Sequence, residues 1–173
     1  MLSKTSDYAR AVREAYRMRW KYYSGSLEFD PFLPISVEKK LAVCKYSTFI
    51  KLYGADPVAY PQLISDDAFT IPMSGGNMIC YNDDQKVNPA RRRFSLAHEL
   101  GHFALHHQSG YEWEEREADC FARNLLAPRL LALERGIPFD DYQTAFGISA
   151  AAARMCERMA DEDERIARLV LNK

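Results

Sequence analysis

The chain has 173 residues, 47% of them hydrophobic and 27% charged, the composition of one globular domain with a sizeable core. A formal net charge of −1 excludes a general attraction to nucleic acid or to anionic membrane. No apolar run approaches the length that spans a bilayer. The first seven residues lack the apolar stretch of a secretory signal, so the chain reads as cytoplasmic. Cys44, Cys80, Cys120 and Cys156 form no C-x-x-C pair and read as reduced, mostly buried thiols.

Residues 5–23 read as a first helix, capped by Thr5 or Ser6. Tyr8, Val12, Ala15, Tyr16 and Trp20 form its apolar stripe, and Arg10, Arg13, Arg17, Arg19 and Lys21 a solvated face. Gly25, Pro31 and Pro34 mark 24–34 as a loop. A short helix over 37–42 should lead to a strand at Val43–Tyr46, then to another short helix ending at Gly54, with Pro57 in the first turn of the next. Residues 68–72 and 77–81 are β-prone runs joined by Met73-Ser74-Gly75-Gly76, which predicts a hairpin.

Asn88 followed by Pro89 is an N-cap and N1 proline, opening a helix over 89–106. Further helices fit 112–127, 129–135, 140–146 and 150–171, the last capped by Ser149. The class is α+β, with small strands in the first half and helices in the second. It divides into an N-terminal helix and linker (1–35), a core (36–135) and a C-terminal helical appendage (136–173) that belongs to the same domain. The terminal helices either complete that core or dock a partner.

The sequence carrying most chemistry is His98-Glu99-Leu100-Gly101-His102. Residues four apart lie one above the other on a helix, so His98 and His102 can aim at a single zinc ion. Glu99 beside them is placed to take a proton from the attacking water and pass it to the leaving amine. Gly101 costs the helix roughly 1 kcal/mol against alanine, which points to close approach of a neighbouring backbone. A third ligand is needed. His106 lies about 12 Å along the axis from His98, too far for one metal, and His106 and His107 fit the helix C-terminus, where imidazoles meet free carbonyls.

The third ligand therefore comes from the next helix. Its apolar face is drawn by Ala118, Phe121, Ala122, Leu125 and Leu126, with Glu114 and Glu115 flanking that face and Glu117 pointing away to solvent. Glu115 is the preferred ligand and Glu114 its rival; Asp119, four residues on, can orient a histidine from behind. Asn77–Tyr81 is the strand expected to hold an extended substrate, unless it only covers the active-site helix, and Tyr81 is a candidate for stabilising the oxyanion. The helices around Gly147-Ile148-Ser149 resemble a helix-turn-helix, but Ala150–Ala153 offers methyl groups where base edges need Arg, Asn or Gln, so packing or protein docking is the better reading.

Tyr81-Asn82-Asp83-Asp84, Arg91 through His102 and Glu115 through Pro128 resemble the ImmA/IrrE family of metallo-endopeptidases. The likeness is strong over 81–128 and looser across 36–160. It implies a minimal zincin-like fold, with a small antiparallel hairpin packed on the active-site helix. It also implies His98 and His102 as zinc ligands, Glu99 as catalytic base and Glu115, three residues before Ala118, as third ligand. Asp119 stands where many members carry asparagine. The resemblance further implies cleavage of a bacterial regulator or repressor encoded nearby, linked to a mobile element or stress response. The alternative it leaves is a zinc-binding component of a toxin–antitoxin-like pair that does not turn over.

Overall fold

A computed structural model describes residues 6–56, 58–65 and 67–171; the expectations at Thr5 and Pro57 lie outside them. The first helix, α1 (Tyr8–Lys21), is capped by Asp7, whose carboxylate accepts the Arg10 N–H at 2.9 Å. Its buried face is Ala11, Val12, Ala15 and Arg19. The expected stripe is thus rotated. Trp20 is 87% exposed, while Arg19, assigned to the solvated face, is buried. Its guanidinium donates through its two terminal nitrogens to the carbonyls of Leu125 (2.7 Å) and Leu27 (2.6 Å), which offsets part of the cost of burying it.

Helix α2 (Phe32–Val37) starts inside the segment expected to be a loop. Pro34 falls in its first turn, where a missing N–H costs nothing. The strand β1 (Leu41–Lys45) follows, then α3 (Tyr46–Tyr53) and α4 (Gln62–Ser65). The hairpin is β2 (Ala68–Met73) and β3 (Gly76–Tyr81), antiparallel with Thr70 opposite Ile79; Gly75, at φ +92°, supplies the left-handed residue of its turn. β1 adds parallel to the other side of β3, with Val43 opposite Ile79, so the sheet is mixed and ordered β1-β3-β2.

Alternation assigns the two sheet faces. Phe69 and Cys80 turn toward α3, where Tyr46 and Phe49 bury them; Ile79 joins the main core. The helix α5 (Pro89–Ala104) opens as expected, with the Asn88 side chain accepting the Ala90 N–H at 2.9 Å and Pro89 at N1. It is followed by α6 (Glu112–Leu126) and α7 (Arg129–Glu134). A 3-10 turn at Phe139–Asp141 leads to α8 (Tyr142–Phe146), α9 (Ala150–Arg158) and α10 (Ala160–Leu171). The single helix expected over 150–171 is broken at Met159.

Helix α6 lies at the centre, with α5 on one side and α1 on the other. From Cys120 to Leu126 every residue of it is buried. Leu96, Leu100, Phe121 and Leu125 are fully buried at the α5–α6 contact. Gly101 sits there too: a Cβ on it would stand 3.1 Å from the Ala118 Cα, so the expected backbone approach is present. No helix among the described residues is long and apolar enough to cross a membrane.

Candidate metal centre

The one-turn spacing stacks His98 above His102 on α5, and the packing of Gly101 on Ala118 brings α6 close enough for its first two turns to reach them. The two Nε2 atoms are 3.0 Å apart. The Glu115 carboxylate lies 3.2 Å from the His98 Nε2 and 3.5 Å from the His102 Nε2. Ligands held at about 2.0–2.1 Å around a tetrahedral zinc are roughly 3.3 Å from one another, so the spacing of these three groups fits such an ion. His98, His102 and Glu115 form the one cluster of at least three potential ligands found among the described residues.

Glu114 is turned elsewhere. It is buried and accepts the N–H groups of Gln108 (3.2 Å), Ser109 (3.0 Å) and Tyr111 (3.2 Å). Burial alone would raise its pKa, but those amides and the nearby His107 hold it below the usual range. It closes the loop that enters α6 and does not face the two imidazoles.

Asp119, one turn beyond Glu115, accepts from the His98 Nδ1 at 2.9 Å, the orienting contact expected of it. With that nitrogen turned to Asp119, the ring directs its Nε2 into the cluster. Burial lowers the basicity of His98, yet Asp119 and Glu115 outweigh it and raise the pKa to about 10. Burial and the neighbouring His98 lower His102 to about 4. The hydrogen bond from His98 keeps Glu115 below the usual carboxylate range.

Glu99 lines the same cleft as the cluster, a groove of about 1090 Å³ between α5 and the sheet. Its carboxylate accepts a 2.6 Å hydrogen bond from the Thr70 hydroxyl on β2. Nothing in the sequence marks Thr70; the pleat puts it on the α5 side of the sheet, opposite Ile79.

Two expectations require correction. Asn77–Tyr81 is β3, the central strand, paired on both sides, so it has no free edge for a substrate. The outer strand, β2, lines the cleft through Ala68, Phe69, Thr70 and Pro72, while β3 contributes Gly76 and Asn77 at its start. Tyr81 packs its ring edge-on against Phe32 at 5.2 Å and faces the core rather than the cleft.

Glu117 is the second correction: it is 1% exposed, not solvated. The helical wheel placed it opposite the apolar face, and α1 packs on that opposite side. Its carboxylate faces the His107 Nε2 at 3.1 Å and accepts the Asp7 N–H at 2.6 Å.

Around the helix-turn-helix-like segment, Arg93 donates to the carbonyls of Gly147 (2.5 Å) and Phe29 (2.5 Å), and Phe146 and Ile148 are buried. The segment is thereby packed onto α5. Ala151, Ala152 and Met155 of α9 line a separate cavity of about 500 Å³.

Among known proteins, the family model for the IrrE N-terminal-like domain, Peptidase M78, matches residues 60–155, more than half of the chain. The chain belongs to this IrrE-like family. The matched region holds the hairpin, α5 and α6, and therefore the whole cluster together with Glu99. Membership of Peptidase M78 points to a metallopeptidase with a protein substrate. No curated protein and no solved structure matches the chain.

Proposed function

We propose that the protein is a zinc-dependent endopeptidase of the H-E-x-x-H type that hydrolyses a peptide bond in one specific bacterial regulator or repressor. It acts in the cytoplasm, in the setting of a mobile element or a stress response. The observation that carries this reading is the convergence of His98, His102 and Glu115 within 3.0–3.5 Å of one another, in the cleft that also holds Glu99.

In this reading the three residues hold the ion. Two imidazoles and a carboxylate suit zinc, with one position left open. A bound zinc ion supplies Lewis acidity to the scissile carbonyl and to the attacking water. Glu99 takes a proton from that water and delivers it to the departing amine, a transfer typically worth 10²–10⁴-fold in rate. Thr70 donates to one Glu99 oxygen and so holds the carboxylate in its orientation toward the cleft. The edge of β2 aligns the substrate as an added strand.

Metal analysis of the purified chain and its single alanine variants tests the site. One zinc per wild-type chain is expected, with loss in His98→Ala, His102→Ala and Glu115→Ala and retention in Glu114→Ala. Zinc retained in Glu115→Ala and lost in Glu114→Ala would assign the wrong carboxylate. Incubation with the product of the neighbouring gene tests the reaction. Cleavage by wild type and none by zinc-loaded Glu99→Gln is the expected result. Stable binding of that product without cleavage would favour a regulatory or antitoxin-like partner instead.

A further inference from the structure

We propose that His107 and Glu117 are positioning residues of the metal centre, which with the backbone N–H of Asp7 form a buried hydrogen-bonded chain that fixes the ring and tautomer of His102. The inference rests on the reading of His98, His102 and Glu115 as the metal site.

The His107 Nδ1 is 3.1 Å from the His102 Nδ1, and the His107 Nε2 is 3.1 Å from a Glu117 oxygen. The other Glu117 oxygen accepts the Asp7 N–H at 2.6 Å. The directions follow from the end of the chain. A carboxylate accepts, so the His107 Nε2 donates to it. The Nδ1 of a neutral His107 is then a lone pair. His102 must donate from its own Nδ1, which leaves its Nε2 lone pair aimed at His98 and Glu115. His98 is oriented in the same sense by Asp119, but there the carboxylate is half exposed, with 53% of its side chain open to solvent. Behind His102 the two side chains are 2% and 1% exposed.

The local backbone is built for this contact. At the end of α5 the His106 N–H bonds to the Phe103 carbonyl (3.1 Å) and the His107 N–H to the His102 carbonyl (2.9 Å). Together they form a Schellman turn around His106 at φ +54°. That turn, not helical periodicity, swings a residue five positions on back beneath His102. Trp113 then closes over the His107 ring, edge-on at 5.6 Å.

Packing alone does not call for such a pair. A buried histidine and carboxylate exchanged for apolar groups of similar volume typically costs a fold little or nothing. A metal-binding imidazole, in contrast, loses 10–100-fold in metal affinity when its outer partner is removed.

The test uses the full-length chain stripped of metal. Zinc affinity is read by competition with a chromophoric chelator, ligand geometry by the visible spectrum of the Co²⁺ form and folding by circular dichroism. His107→Leu should bind zinc 10–100-fold more weakly and shift the Co²⁺ bands. His107→Asn, whose Oδ1 takes the place of Nδ1 as acceptor, should recover most of that loss. Glu117→Gln keeps volume and shape but cannot accept from both sides. It should weaken binding by about tenfold, and it carries the test if His107→Leu does not fold.

Affinity within twofold of wild type in both His107→Leu and Glu117→Gln, with unshifted Co²⁺ bands, overturns the proposal. Equal weakening in His107→Leu and His107→Asn with unshifted bands also overturns it, since that is the signature of a structural pin. A wild-type chain that takes up no zinc removes the metal-site reading itself, and this inference with it.

Discussion

At the scale of single residues, Gly101 couples packing to the site. A Cβ there would stand 3.1 Å from the Ala118 Cα and the Phe121 ring and 3.2 Å from the Ala118 carbonyl. Alanine would gain roughly 1 kcal/mol of helix propensity. Overpacking against the backbone of α6 costs about 1–3 kcal/mol and outweighs it. Ala118 sits between Glu115 and Asp119, so any widening of the helix pair draws both carboxylates from the imidazoles. Gly101→Ala should lower the melting temperature and weaken zinc binding, by about tenfold where roughly 1.4 kcal/mol of ligand placement is lost. A higher melting temperature with unchanged zinc affinity would show that α6 accommodates the added Cβ without strain and that this contact does not set the position of the carboxylates.

At the scale of elements, the parts written in local signals were legible: the Asn88-Pro89 start of α5, the β2–β3 hairpin and the one-turn histidine spacing. The rest depended on what packs where. The buried face of α1 and the fate of Glu117 are decided by a helix–helix contact far apart in sequence, and no wheel drawn on one helix contains it. The parallel pairing of β1 is likewise non-local, and it converts the expected edge strand into the central one.

The break at Met159 has no proline or glycine to announce it. It lets α10 turn back onto α1 and α7, where Asp163 meets Arg123 of α6 in a buried two-pronged pair at 2.6 and 2.8 Å, with the Asn124 amide adding a third bond at 3.1 Å. Asp163→Ala would leave the Arg123 charge buried without its partner, at a cost of about 3–5 kcal/mol. For a chain of this size the melting temperature should fall by roughly 10 °C. Thermal unfolding followed by circular dichroism measures it, and a fall of only a degree or two would mean that water reaches Arg123 once the carboxylate is gone.

At the scale of the whole molecule, α1 belongs to the core by its contacts, which bears on the idea that it docks a partner. Ala11, Val12 and Ala15 are fully buried, the Tyr16 hydroxyl accepts the Leu130 N–H at 3.1 Å, and Arg19 covers the last carbonyls of α6. Arg10 donates to the Leu105 carbonyl at the end of α5, and Asp7 donates to Glu117. Removing residues 1–24 would uncover the second buried face of α6, including Glu117, and leave the Leu125 carbonyl unpaired; uncompensated polar groups of this kind cost about 1–3 kcal/mol each. Losses of that size, added to the exposed apolar area, are comparable with the 5–15 kcal/mol that hold an ordinary domain together.

The truncated chain should therefore lose cooperative unfolding and bind a hydrophobic dye. Circular dichroism and dye fluorescence, measured with zinc added in excess, decide the matter. A truncated protein that melts cooperatively and retains one zinc per chain would return α1 to the docking role, with α5, α6 and the hairpin standing as a folding unit of their own.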